Sequence, residues 1–271
     1  DLFTMLQGVE TASGQERLPA WAVTHPYPEN RLAHTQKMLD SAKVNYAALT
    51  WDRDAYLRRL DGLVYGEDPR QGYFEGQTFY QPELKFQVVF PAEWRLNNGF
   101  SAVTGLAAKQ DGLLQLGLGG TEPLATQLQT FLSQSGVTAG ATSDAKINGL
   151  PAASAGFTAA MESGAVQGQV AFIEYGGRTY RLVGMATSAQ ASAYDPLIRG
   201  WISSFRPLTD AARLNVQPAR IRLVKLSAPM TVSAFNAKYP STVPVEQVAL
   251  LNGVATSGSF AAGQLVKRVA K

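Results

Sequence analysis

His25 and His34 are the only imidazoles in the chain, and they stand nine residues apart. That spacing forms no H-E-x-x-H, so the chain by itself cannot build the two-histidine helix of a zincin. The chain has no cysteine. Disulfides, thiolate metal sites and a cysteine nucleophile are therefore excluded. No G-x-x-x-x-G-K is present, which removes a P-loop. Gly117, Gly119 and Gly120 cluster, but Glu122 occupies the last glycine position of a dinucleotide fingerprint. Ala152-Ala153-Ser154-Ala155-Gly156 falls short of G-x-S-x-G and has no evident acid–base partner. Ser143 and Lys146 match S-x-x-K, yet Thr142 and Asp144 beside them read as a polar loop. Glu162 and Glu174 are carboxylates best explained by surface solvation. No catalytic residue is assigned.

The charge is divided along the chain. Residues 1–72 carry 8 Lys and Arg against 10 Asp and Glu, and residues 73–210 carry the same numbers. Residues 211–271 carry 8 against 1, Glu246. The overall charge of +3 therefore reflects a basic terminal segment. Such a segment suits a polyanion: nucleic acid, anionic lipid or an acidic wall polymer. A solvated tail module is the alternative.

Hydrophobic residues make up 45% of the sequence and charged residues 17%, which excludes a disordered chain, a collagen and a long coiled coil. No apolar run approaches the roughly 18 residues of a membrane span. The sequence opens Asp1-Leu2-Phe3 with no initiator Met or signal peptide, as expected of a processed or excised piece.

The elements read as three parts. In residues 1–72, residues 1–8 read as helical turns. An amphipathic helix is predicted over 28–48, opened by Pro28 and Glu29. A second follows Asp52 and runs to Gly66, with Tyr56, Leu57, Leu60 and Val64 as its stripe. These helices carry too little apolar surface for a core of their own and must dock elsewhere. Residues 73–210 read as an α+β domain, an antiparallel sheet with packed helices. Aromatics at 73, 74, 79, 80, 86, 90, 94 and 100 read as its core. Turns are expected at Asp111-Gly112, Asn148-Gly149 and Gly176-Gly177. Helices are expected over 122–135 and 189–205, the second interrupted near Pro196. Val170, Phe172, Tyr180 and Leu182 are expected inside the clearest hairpin. Residues 211–271 read as a small β-α-α-β module. Thr231 caps its first helix, Pro244 opens its second, and Asn252-Gly253 ends that one.

Three resemblances follow. The stretch Leu18-Pro19-Ala20-Trp21-Ala22-Val23-Thr24-His25-Pro26-Tyr27-Pro28-Glu29-Asn30-Arg31-Leu32-Ala33 resembles a segment of HtpX-like and Oma-like zinc metallopeptidases (peptidase family M-48). In those proteins it lies beyond the zinc ligands. The resemblance makes residues 1–72 the helical tail of a peptidase domain whose H-E-x-x-H lies upstream. It implies that His25 either reaches the zinc of the intact parent as an inhibitory contact or is a loop histidine that positions the following helix. It also implies that Arg31 faces the cleft or pairs with a carboxylate of the missing catalytic portion. Residues 231–235, 250–253 and 262–267 resemble a LysM-type module, which implies binding to N-acetylglucosamine polymers through Thr231, Asn252 and Gly253. Pro229-Met230 stands where that family carries Gly-Asp, and a docking role is the other implication. Phe90-Pro91-x-x-Trp94 after a strand resembles PsbP-like domains, which implies a fold.

These readings make the chain the C-terminal accessory and regulatory region of a periplasmic or secreted bacterial zinc metalloendopeptidase, inactive alone. Zinc is expected in the intact parent and no cofactor in this chain. The expected partners are the missing catalytic portion and peptidoglycan or an envelope protein, with no nucleic acid and no membrane span. The alternative is a non-enzymatic module that binds wall or protein, or a scaffold for envelope assembly.

Overall fold

The computed structural model describes residues 28–42, 44–45, 48–50, 52–161 and 164–271. The chain is α+β. It divides into two compact units: Asp68–Gln217, and Pro218–Lys271 together with the described residues before Asp68. No helix among the described residues is long and apolar enough to cross a membrane. The helix expected over residues 1–8 lies outside the described residues.

Helix α1 (Pro28–Ser41) is shorter than the 28–48 that periodicity predicts. The Ser41 hydroxyl donates to the Met38 carbonyl at 2.9 Å, and Ala42 N–H reaches back three residues to Leu39 at 3.2 Å. Those contacts tighten the last turn and stop the helix. Helix α2 (Arg53–Leu60) begins where predicted: the Asp52 side chain accepts from Ala55 N–H at 2.9 Å. It ends at Leu60, short of Gly66. Gly62 takes φ +85°, and the chain leaves in extended form. Leu57 is buried, whereas Tyr56, placed on the apolar stripe by its spacing, is 63% exposed.

In the unit Asp68–Gln217, strands β1 (Tyr73–Glu75), β2 (Thr78–Gln81) and β3 (Phe86–Val89) form an antiparallel sheet. They are joined at one edge by β11 (Arg206–Pro207). A second, seven-stranded antiparallel sheet uses β4 (Arg95–Asn98), β5 (Val103–Leu106), β6 (Gly112–Leu118), β7 (Val137–Ser143), β8 (Ala152–Met161), β9 (Gly164–Tyr175) and β10 (Arg178–Thr187). Its order is β4-β5-β6-β10-β9-β8-β7. Gly176 and Gly177 both take positive φ, the type I′ geometry that a two-residue hairpin needs, and β9 pairs with β10 from Tyr175↔Arg178 onward. Asn148-Gly149 does the same between Ile147 and Leu150. The Asp111 turn is different. Gln110 carries the positive φ, and Asp111 instead accepts the Tyr194 hydroxyl at 2.7 Å.

Both faces of the large sheet are covered. Helix α3 (Leu124–Leu132) packs Leu128 and Leu132 on Val170, Phe172 and Val183. Helix α4 (Ala191–Ser203) packs Ile198, Trp201 and Ile202 in the other cluster, with Leu182, Tyr180 and the small sheet's Phe79, Phe86 and Val88. Both helices are about a turn shorter than predicted, and α4 runs through Pro196 as one helix rather than being interrupted there. Gly184 permits the close approach of α4: a Cβ there would lie 2.4 Å from Ile198 Cγ2. The aromatic cluster is core at Phe79, Phe86, Phe90 and Trp94, but Phe100 departs from it at 111% relative exposure. A short helix α5 (Ala211–Leu214) carries Arg213, which pairs with Glu75 and lies 4.1 Å over the Tyr80 ring.

In the other unit, β12 (Arg220–Lys225) pairs antiparallel with β15 (Leu265–Ala270). Between them come β13 (Met230–Thr231), α6 (Val232–Lys238), α7 (Val245–Leu251) and β14 (Ser259–Phe260). Val232, Phe235, Val248, Phe260 and Val266 form its core. The segment after α2 lies beside β12: Gly62 N–H donates to Ile221, Ile221 N–H to Leu63, and Tyr65 N–H to Ala219, each at 2.8 Å. Asp61 accepts from Leu223 N–H at 3.0 Å. α2 thus finds the docking surface it lacks alone in the β-α-α-β module.

Candidate functional site

The C-terminal module positions three of the sequence-predicted residues. Thr231 caps α6, its hydroxyl accepting from Ala234 N–H at 3.2 Å. Asn252, at the end of α7, donates to Val248 O at 2.9 Å and Lys267 O at 2.8 Å, and accepts from Lys267 N–H at 2.8 Å. Its amide acts as a strand partner for the outer edge of β15. Gly253 follows at φ +68°, with no atom within 4 Å of where a Cβ would sit. Thr231 and Asn252 therefore spend polar atoms inside the module, and Gly253 marks an open surface. Arg31 lies exposed on α1. His25 lies outside the described residues, and His34 is exposed on α1.

The module's cations are close together. Arg222 and Arg268 are direct cross-strand partners in the β12–β15 register. Like charges opposite one another oppose pairing. Burial holds the Lys267 ammonium below its ordinary value, and the Arg53 charge pushes it the same way. Sequence spacing found the basic composition but not this pairing, nor the Arg53 contribution from α2.

In the unit Asp68–Gln217, a polar recess of about 430 Å³ opens at the end of β6, lined by Gly119, Gly120, Glu122, Glu174, Arg178 and Thr179 among others. The buried Gln127 ties down two of its lining residues, Gly120 and Glu122. Its Oε1 accepts from Gly120 N–H at 2.8 Å, and its Nε2 donates to Gly120 O at 3.1 Å and Glu122 O at 2.6 Å. A Cβ on Gly119 would stand 2.6 Å from Gln127 Oε1. The glycines that resembled an incomplete dinucleotide fingerprint thus seat a glutamine amide. Sequence reading missed Gln127; the available signal was a polar residue between Leu124 and Leu128 on an inward helical face. Two carboxylates and one guanidinium around an open recess can bind polar groups.

The weak nucleophile patterns have structural roles. Ser143 ends β7, and its hydroxyl accepts from Ala145 N–H at 3.2 Å. Ser154 sits within β8, paired to Ala171, and not on a strand-to-helix elbow. Among the described residues no three His, Asp or Glu side chains gather to hold a metal ion.

No family model matches the sequence, and no curated protein matches it. Among solved structures, the PsbP protein of the cyanobacterium Synechocystis is similar at 11% identity, over 48% of this chain and 91% of its own, with a TM-score of 0.40. LpqN of Mycobacterium tuberculosis, described as involved in cell envelope biogenesis, is similar at 14% identity, over 59% of this chain and 99% of its own, with a TM-score of 0.37. The α+β assignment rests on the sheets and helices themselves.

Proposed function

We propose that this chain is the C-terminal accessory and regulatory region of a zinc metalloendopeptidase of the bacterial envelope, periplasmic or secreted. Its role is to hold the peptidase on cell wall or substrate. The observation that carries the reading is the β12-α6-α7-β15 module, built at the residues that resemble LysM and carrying paired cations on its sheet. The Leu18–Ala33 stretch supports the peptidase part. In the parent, zinc would supply an activated water for peptide hydrolysis. The ligands would lie upstream of Asp1, with His25 as a blocking imidazole or a loop contact and Arg31 turned to the missing portion.

The test is the coding sequence upstream of Asp1. An H-E-x-x-H within about 150 residues supports the peptidase, given how specific that helix motif is; its absence refutes it. A second reading, a free-standing wall-binding module or assembly scaffold without a peptidase, is favoured by the hydrophobic cores that each unit builds for itself. An upstream sequence without the motif would select it.

A further inference from the structure

Three arginines of the C-terminal module share one face of its sheet. Arg222 and Arg268 are opposed across β12 and β15, so their Cβ atoms stand about 4.5–5.5 Å apart. Arg220 lies two residues along β12 on the same face, about 7 Å from Arg222. Val224 and Val266, the next opposed pair, pack with the module's core. The arginines continue that face beyond the core, and each stays partly exposed.

Their charges are not answered within the fold. Arg268 Nη1 donates to Pro240 O at 2.8 Å, and Arg220 Nη1 to Gly62 O at 2.7 Å. Both acceptors are neutral carbonyls. Arg222 forms no hydrogen bond or ion pair among the described residues. Its Nη1 lies 3.7 Å from where a Cβ on Gly62 would stand. Asp61, next to Gly62, spends a carboxylate oxygen on Leu223 N–H at 3.0 Å. Glu246, the single acid of residues 211–271, is exposed on α7 and forms an ion pair with none of the three. Like charges opposed in register cost stability. An oxyanion set between the two guanidiniums replaces that repulsion with charge-assisted hydrogen bonds.

We propose that Arg220, Arg222 and Arg268 bind the phosphodiester groups of an anionic polymer. One phosphate sits between Arg222 and Arg268, and the next along the same chain meets Arg220. All three positions are Arg and not Lys, and the planar guanidinium fork matches phosphate oxygens. A phosphodiester chain with a three-carbon polyol linker, when extended, repeats at about the step that separates Arg220 from Arg222. A sheet face suits a polymer laid along it, whereas a small ligand needs a concave pocket. Nucleic acid fits less well, because neither strand carries an aromatic side chain on which a base could stack. A bilayer fits less well, because neither strand exposes a large apolar side chain to insert. The proposal names the wall component held by the module and rests on the wall-holding reading only for where the polymer is met; the binding itself requires no peptidase and no peptidoglycan.

The test uses the whole chain and fluorescein-labelled poly(glycerol phosphate), followed by fluorescence anisotropy across a salt series. Saturable binding is expected. The logarithm of the binding constant should fall against that of salt with a slope of about −2 to −3, since each neutralised phosphate contributes about 0.7–0.9. Arg222→Gln with Arg268→Gln should weaken binding about tenfold at low salt and reduce the slope by about 1.5. Arg222→Gln alone removes no hydrogen bond, so it should weaken binding while leaving the thermal midpoint unchanged or raised. Arg95→Gln with Lys109→Gln removes the same charge from exposed positions of the other unit and should leave binding unchanged. No saturable binding, or equal weakening by the two double variants, overturns the proposal. Polyglutamate, single-stranded DNA or anionic vesicles bound more tightly than the polymer would overturn it and assign the face to that ligand. A chain that pellets with peptidoglycan stripped of phosphodiester polymers but ignores poly(glycerol phosphate) would overturn this proposal and leave the wall-holding reading standing.

Discussion

Asn252→Ala is expected to destabilise the C-terminal module without touching its hydrophobic core. Asn252 makes three hydrogen bonds to backbone groups, of 2.8–2.9 Å. Alanine removes the side-chain donor and acceptor of Asn252 at once. It leaves Lys267 N–H, Lys267 C=O and Val248 C=O to find water. At about 1 kcal/mol net per bond, the loss is about 3 kcal/mol, less whatever water recovers at this half-buried position. Asn252→Asp keeps the acceptor but loses both donations, and sets a carboxylate against two carbonyls, so it should be no better tolerated. The assay is native-state hydrogen exchange of the full chain, reading the β15 amides. Lys267 N–H should lose protection first, since Asn252 is its acceptor, with Val266 and Val269 following. A change under about 0.5 kcal/mol, the scale of an inert surface substitution, with Lys267 N–H protection intact, would refute this role of Asn252 as a strand partner for β15.

Three further outcomes can be measured. Gly184→Ala should cost about 1–3 kcal/mol or more in urea unfolding, because its Cβ would meet Ile198 at 2.4 Å and Leu114 at 2.8 Å; an unchanged midpoint would show that α4 can retreat freely. Lys267→Met should raise the thermal midpoint at neutral pH, since burial and Arg53 both disfavour the charged amine; a lower midpoint would show that the ammonium is favourably paired. Burial pushes the Asp195 carboxyl up, but its hydrogen bonds from Arg199 and Gln169 more than reverse this, leaving it below the usual carboxylate range. Its stabilising contribution is therefore present above about pH 4 and lost as pH falls through the lower folded value. Asp195→Asn should cost about 0.5 kcal/mol at pH 7, as for an exposed helical pair, and nothing at pH 2; an equal cost at both would contradict the assignment.

Local pattern carried much of the fold. The β9–β10 hairpin was legible because Gly176-Gly177 demands positive φ and its flanks alternate. Val170, Phe172, Tyr180 and Leu182 are all inside. Alternation could not show that they serve two cores, since that depends on helices covering both sheet faces. Helix ends were overrun at Ser41 and Leu60 because periodicity registers neither the Ser41 hydroxyl that closes one last turn nor the positive φ of Gly62 beyond the other. The docking of α2 was hidden by distance: Asp61 and Leu223 are 162 residues apart. At the candidate sites, composition exposed the basic module, while Gln127 and the opposed Arg222 and Arg268 needed coordinates. Phe100 looks like one more core aromatic until its turn is seen to project it.

The most direct measurement is cosedimentation of the whole chain with insoluble peptidoglycan across a salt series. If the chain is the wall-holding region of an envelope peptidase, it pellets with the wall at low salt, and the bound fraction falls as salt screens the module's cations. A chain that stays in the supernatant at low salt contradicts the account.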